Sequence, residues 1–168
     1  MLRPWHAADA PALAEAWGEQ LIQRWLDPPP NTVARATAWI RDAESRRTRA
    51  VALDLVIEVG GAVAGEIGFS GFEGSRRAAM LGYWVAAEHR GAGLAARACA
   101  AAAPWFLQET DGSAVLAECD PANVASWRTA EHAGLAHIGD HAGNAVYALT
   151  RPRDEKDPRV PPRVCPTP

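Results

Sequence analysis

His89-Arg90-Gly91-Ala92-Gly93-Leu94-Ala95 follows an apolar run, Leu81-Gly82-Tyr83-Trp84-Val85, and leads into a long alanine-rich stretch. That order predicts a strand, a glycine-rich turn and a helix. Glycines let a backbone approach a ligand closely and turn successive N–H groups toward one point. The helix adds its unpaired N-terminal donors and the positive end of its dipole. A phosphate-bearing cofactor is therefore the first expectation for this segment.

Three phosphate loops share this grammar. A nucleotide P-loop needs a lysine directly after its last glycine, whereas the single lysine of the chain is Lys156. The dinucleotide fingerprint comes closer, because Gly91-Ala92-Gly93-Leu94-Ala95-Ala96 satisfies G-x-G-x-x-[GA]. It belongs on the first strand of a parallel βαβ unit, with an acidic residue ending the next strand about 20 positions on. Asp111 falls at that distance but sits in a Thr-Asp-Gly-Ser turn before the next strand. A dinucleotide-dependent oxidoreductase is disfavoured accordingly.

The third pattern is R-x-x-G-x-A. Arg90 through Ala95 matches it and resembles the acyl-CoA pyrophosphate loop of the GNAT family of N-acetyltransferases; Leu81 through Ala86 is similar to that family's fourth strand. A second block, Asp120-Pro121-Ala122-Asn123-Val124-Ala125-Ser126 followed by Glu131-His132-Ala133-Gly134-Leu135, resembles the family's N-x-x-S/A segment, with a glycine eleven residues after the asparagine. With Gly65-Glu66-Ile67-Gly68 and Leu2-Arg3-Pro4-Trp5, these blocks look most like the RimJ/RimL branch, which acetylates ribosomal-protein N-termini. The resemblance runs over one domain, residues 1–150. Residues 151–168, RPRDEKDPRVPPRVCPTP, are expected to form a disordered tail whose removal costs little stability, because proline and charge leave no periodic apolar face.

Composition is compatible with this reading. A chain of 168 residues can bury a core without disulfides or metals. Cys99, Cys119 and Cys165 have no metal-ligand spacing, and an odd count without a secretory signal suggests reduced thiols in a cytoplasmic protein that holds no metal. No apolar run approaches the ~20 residues that span a bilayer. A net charge of −3 gives no general attraction to nucleic acid; Arg46-Arg47-Thr48-Arg49 and Arg76-Arg77 are short local exceptions.

The hydrophobic period places the remaining elements. Leu13, Trp17, Leu21 and Trp25 recur near 3.6 residues, which predicts one helix over 11–26, capped by Asp9 and ended by Pro28-Pro29-Pro30. Asn31 or Thr32 can cap a second helix through Ile40 and on into the arginine-rich segment. Val51–Val59 and Ala62–Phe69 read as a hairpin around Gly60-Gly61, and Met80–Val85 as the next strand. A helix follows from Gly93 to Gln108, in which Pro104 should kink the chain or start a new turn. Val115–Cys119 reads as a strand, Val124–Ala133 as a helix stopped by Gly134, and Leu135–Ile138 with Ala145–Leu149 as a hairpin around 140–144. The sum is an α+β fold of the GNAT acyl-CoA N-acyltransferase type: a mixed, mostly antiparallel sheet with a central βαβ crossover, flanked by helices.

The resemblance implies how such a fold works. Acetyl-CoA would lie between splayed fourth and fifth strands, its pantetheine arm on backbone near Trp84 and Val85. Its pyrophosphate would rest on the amides of Arg90, Gly91, Ala92, Gly93, Leu94 and Ala95, with Asn123 and Ser126 at the next helix start. A neutral amine attacks the thioester directly, which calls for a base and for protection of the departing thiolate. Many relatives place a tyrosine seven residues after the asparagine, but Ala130 stands there. Ser126 is the candidate for the sulfur side and Tyr147 a second one. For the base, alternation along 115–120 sets Leu116, Glu118 and Asp120 on one face, making Glu118 the candidate. Glu66 and His89 are rivals, a histidine being an ordinary base near neutral pH. Cys99 and Cys119 read as small buried residues. Trp17, Trp25 and Trp39 belong by spacing to the core, with one of them free to line an acceptor slot, and Pro28–Pro30 would form its stiff lip.

The acceptor implied is a primary amine, either a protein N-terminus or a small molecule, and a homodimer is a fair default. Two alternatives stay open at this stage: a non-catalytic acyl-CoA-binding regulatory module, and a transferase for another acyl group such as succinyl.

Overall fold

The structure, a computed structural model, describes residues 1–71 and 77–151. The tail expected to be disordered lies outside the described residues from position 152 onward, as do Arg76 and Cys165.

Fourteen segments follow in order, seven of them strands: β1 (Leu2–Pro4), β2 (Ala52–Val59), β3 (Ala62–Ser70), β4 (Ala78–Val85), β5 (Ala114–Cys119), β6 (Ala136–His141) and β7 (Asn144–Thr150). They form one sheet in the order β1-β2-β3-β4-β5-β7-β6. Every neighbouring pair is antiparallel except β4 and β5. The helices are α1 (Ala10–Gly18), α2 (Gln20–Trp25), α3 (Val33–Thr48), α4 (Leu94–Glu109) and α5 (Val124–His132), and α4 is the crossover between the parallel strands. This is the mixed, mostly antiparallel architecture expected from the sequence.

Local chemistry explains most boundaries. Gly60 and Gly61 take φ of 59° and 84°, the left-handed geometry that a two-residue hairpin turn demands. Thr32 caps α3 by accepting a hydrogen bond from the Arg35 amide at 3.3 Å. Three expectations need correction. The helix predicted over 11–26 is two helices: α1 ends at Gly18, and Glu19 is extended, its side chain engaged elsewhere. Asp9 precedes α1 without capping it, because Arg3 takes its carboxylate at 2.7 and 2.9 Å and the His6 amide adds a bond at 2.8 Å. Of the two outcomes expected at Pro104, a kink or a new turn, the new turn does not occur: α4 runs on through the proline, with Ala103, Phe106 and Leu107 buried on both sides of it. The last hairpin also turns more tightly than expected, at Ala142 and Gly143.

The sheet buries both faces. On one, Ile67 and Phe69 of β3 meet Ala103, Phe106 and Leu107 of α4, and the Phe69 and Phe106 rings stack at 4.5 Å. On the other, Val56 and Trp84 pack with Trp5, Leu13, Trp17 and Ile40 under α1 and α3. Trp39 meets Trp5 and Trp17 edge-on at 5.9 and 6.0 Å, so Trp17 and Trp39 are core residues.

One irregularity positions the site. β3 follows β4 as far as the Gly65–Val85 pair, and β7 follows β5 as far as the Ala145–Cys119 pair. Between β4 and β5 the pairing covers only Ala78–Met80 against Ala114–Leu116. Beyond Met80 and Leu116 the two central strands part.

Candidate active site

The parting strands open a cavity of about 640 Å³. Gly82 through Val85 line one wall and Ala117 through Asp120 the other. His89, Arg90, Gly91, Gly93, Leu94, Ala95 and Ala96 close one end, Asn123 and Ser126 stand at the α5 side, and α2 adds Leu21, Ile22 and Trp25, with Leu26 just after it. Of the residues picked from the sequence for acyl-CoA binding, all line this cavity except Ala92, which is exposed beside it. Among the three tryptophans considered, Trp25 is the one on the cavity wall. The Pro28–Pro30 segment does not line it; Leu26 forms the rim instead.

The glycine turn has the geometry of an anion cradle. Gly91 and Gly93 take φ of 80° and 66°, and a Cβ added at either would meet nothing within 4 Å. Gly93 is the residue before α4. The first amides of that helix therefore lack intrahelical acceptors, and the positive end of its dipole lies where Gly93, Leu94, Ala95 and Ala96 line the cavity. Arg90 contributes less directly. Its Nε donates to the Val85 carbonyl at 2.9 Å and its Nη2 to the Glu19 carboxylate, whose other oxygen accepts from the Ala87 amide at 3.1 Å. The guanidinium thus ties the loop to the α1–α2 junction.

At the α5 end, the Asn123 side chain accepts from the Ser126 amide at 3.2 Å, and Asp120 Oδ1 accepts from the Ala122 amide at 2.7 Å. The Asp120 bond braces the turn before α5, and the Asn123 cap holds Ser126 in the first turn of the helix. Its hydroxyl donates to Cys119 Sγ at 3.3 Å and lies 3.1 Å from the Tyr83 hydroxyl, which also donates to the Ser126 carbonyl at 2.7 Å. Burial holds the Tyr83 phenol far above its usual range and the Cys119 thiol above its own, and pushes Cys99 up to about 12. Both thiols stay protonated and buried, in keeping with small packed residues. Sequence reasoning missed Tyr83. It belongs to the quoted strand and shares a sheet face with Leu81 and Val85, but its partner lies 43 residues away on another element.

The acid-base candidates separate. Glu118 is on the cavity wall, its side chain 36% accessible and 3.3 Å from His141 Nδ1. It projects from the opposite sheet face to Ser126. His89 also lines the cavity, half-buried and 3.9 Å from Glu88. Tyr147 is buried away from the cavity, its ring 5.2 Å from His137. Glu66 is a step behind the wall, cross-strand from Trp84. Burial chiefly, with repulsion from Asp54, pushes its carboxyl up to about 8, against the pull of Arg46 and the indole N–H groups of Trp5 and Trp84. Among the described residues no group of His, Cys, Asp or Glu is placed to hold a metal ion, and no helix is long and apolar enough to cross a membrane.

A sheet split between parallel central strands, with a glycine cradle at the mouth of the split, defines the acyl-CoA-dependent transferase class. The chain belongs to the GNAT acetyltransferase family: the family model described as an acetyltransferase (GNAT) domain matches residues 1–136. Solved structures share the fold. Mycobacterium smegmatis RimJ in complex with CoA-disulfide superposes with a TM-score of 0.75 at 22% identity, covering 89% of this chain and 80% of that one. RimL, a ribosomal alpha-N-protein acetyltransferase solved with coenzyme A in disulfide linkage to a cysteine of that protein, gives 0.78 at 21% identity over 89% and 92%. The microcin C7 self-immunity acetyltransferase MccE, solved with acetyl-CoA and AMP, gives 0.77 at 19% over 89% and 91%. No curated protein sequence matches the chain significantly.

Proposed function

We propose that this acetyltransferase moves the acetyl group of acetyl-CoA directly to a primary amine, with both substrates bound at once. The observation that carries the proposal is the parting of β4 and β5 beyond Met80 and Leu116, with an anion cradle at one end. Pyrophosphate rests on the amides from Arg90 to Ala95, and the pantetheine arm runs along Trp84 and Val85. The thioester reaches the middle of the sheet near Asn123 and Ser126. There Ser126 faces the sulfur from the α5 side, and Glu118, from the other face, takes the proton of the incoming ammonium directly or through water. The α2 wall of Leu21, Ile22 and Trp25, with Leu26 just after it, frames the acceptor. A protein N-terminus or a small amine satisfies this arrangement equally. Two buried free thiols, Cys99 and Cys119, fit a reducing, cytoplasmic setting.

Calorimetric titration with acetyl-CoA, free CoA, succinyl-CoA and NADPH tests the donor site. Micromolar binding of the CoA esters, lost in Gly93→Glu, is the expected result; preference for NADPH overturns the reading. Turnover with an amine panel then tests the roles: Ser126→Ala and Glu118→Gln should each lower the rate at least about tenfold. Unchanged rates remove those two assignments, and a protein that binds acetyl-CoA without transferring it to any amine is a regulatory module.

A further inference from the structure

We propose that Tyr83 is a positioning residue for the transfer: with Ser126 it forms a two-hydroxyl unit that holds the departing CoA sulfur as a thiolate by hydrogen bonding, without protonating it. The proposal rests on the acyl-CoA reading above and adds to it a residue and a mode of leaving-group stabilisation.

The geometry distributes the two hydroxyl protons. A phenol has one proton to give. The Tyr83 oxygen lies 2.7 Å from the Ser126 carbonyl and 3.1 Å from Ser126 Oγ, so the shorter contact takes the proton and pins the first turn of α5 to β4. The Ser126 proton is then left with two acceptors, the phenol oxygen and a sulfur. In this structure it goes to a sulfur, Cys119 Sγ, at 3.3 Å. All three groups line the cavity. A thioester sulfur lying between β4 and β5 meets a hydroxyl already suited to a sulfur acceptor, backed by the N-terminus of α5. Without Tyr83, Ser126 Oγ keeps its rotational freedom and Cys119 as its one remaining partner among these contacts.

Neither hydroxyl acts as the acid. A thiol ordinarily titrates near ~8.5, far below a serine hydroxyl, and burial holds the Tyr83 phenol well above its own usual range. Proton transfer from either to the thiolate runs uphill. A hydrogen bond to charged sulfur, by contrast, is stronger than one to neutral thioester sulfur and so favours the transition state. As the C–N bond forms and the C–S bond breaks, the electron pair stays on sulfur. The base takes one proton from the ammonium before attack and passes it to solvent, the nitrogen sheds its second proton by the same route as it becomes the amide, both hydroxyl protons stay on oxygen, and solvent protonates CoA afterwards.

CoA carrying ¹³C at the carbon bonded to sulfur, bound to the full chain and followed by NMR against pH, reports its own thiol alone. The charged groups lining the cavity, Glu118, Asp120, Arg128, His89 and Arg90, are common to all the variants and cancel in differences between them. In the wild type the bound thiol should titrate about one pH unit below free CoA, equivalent to a roughly tenfold preference for thiolate. Tyr83→Phe, which keeps the ring, and Ser126→Ala should each return at least half of that displacement. The double variant should go no further than Ser126→Ala, because the two hydroxyls act as one unit. With a working acceptor, kcat of Tyr83→Phe falls about tenfold while the KM for acetyl-CoA changes less than about twofold. A Tyr83→Phe or Ser126→Ala protein that binds CoA and titrates like the wild type overturns the proposal. Failure of the wild type to bind CoA removes the functional reading itself.

Discussion

Replacing Glu66 by glutamine should remove a large part of the pH dependence of stability. Val56, Glu66 and Trp84 form one cross-strand row under α1 and α3. A Cβ built on Gly68 would lie 3.2 Å from Asp54 Oδ1 and 3.9 Å from Glu66 Oε1, so two carboxylates crowd one small space. The cation nearby is committed to the other acid: Arg46 bonds Asp54 at 2.9 and 3.2 Å and lies over the Trp39 ring at 4.1 Å. The buried Trp5 indole N–H faces Glu66 but finds no partner at ordinary hydrogen-bond distance. Burial, then Asp54, therefore push the Glu66 carboxyl from 4.5 to about 8. A carboxyl whose pKa rises on folding binds its proton more tightly in the native state. Its contribution to stability is full below 4.5 and is lost as pH climbs through about 8. At about 1.4 kcal/mol per tenfold, that displacement has an upper bound near ~5 kcal/mol. The side chain is only half-buried, and solvent screening brings the expectation to about 2–3 kcal/mol. Urea unfolding of wild type and Glu66→Gln at intervals from pH 5 to pH 9 measures it. The two should converge near pH 5 and the variant should become the more stable by about that amount at pH 9. Curves that stay parallel across the range would refute the reasoning, since the amide removes the titrating group and leaves Asp54 and Arg46 in place.

Other consequences can be checked singly. Gly65→Ala would put a Cβ 2.3 Å from the Trp84 carbonyl oxygen; backbone cannot yield there, so thermal unfolding should show a loss of about 3 kcal/mol or more. Asn123→Ala removes the cap on the Ser126 amide and should cost about 1 kcal/mol in urea unfolding, with a larger proportional loss of turnover because Ser126 moves with it. Glu19→Gln frees Arg90 from its carboxylate partner. CoA should then bind about two- to fivefold more tightly at low salt, an advantage that fades as salt is added. Weaker binding would show instead that the ion pair preorganises the loop.

Much of this molecule was legible in advance because local rules carried the information. Gly60-Gly61 requires a left-handed hairpin turn, and Gly134 ends α5 for the same reason. The alternation of Val115, Ala117 and Cys119 against Leu116 and Glu118 described the burial of β5 correctly. Asn123 followed by Ser126 three residues later is a cap with its first-turn residue wherever the helix packs. The errors arose where distant groups compete. The periodicity over 11–26 is helical throughout, yet Glu19 leaves the helix to bond Ala87 and Arg90, about 70 residues on. Pro104 permits a new turn after Ala103, yet α4 runs through it with Phe106 and Leu107 buried beyond it.

The residues of the chain by themselves determined most strand and helix positions, the break at Glu19 excepted, and the left-handed turns at Gly91 and Gly93, since each depends on neighbours within one or two turns. Only the tertiary structure decided where β4 and β5 part, which acid is pressed into a niche without its own cation, and that the Tyr83 hydroxyl meets Ser126. Those outcomes depend on which surfaces the sheet and helices bring together. A strand sequence states which face a side chain takes, but the group it meets there belongs to another part of the chain.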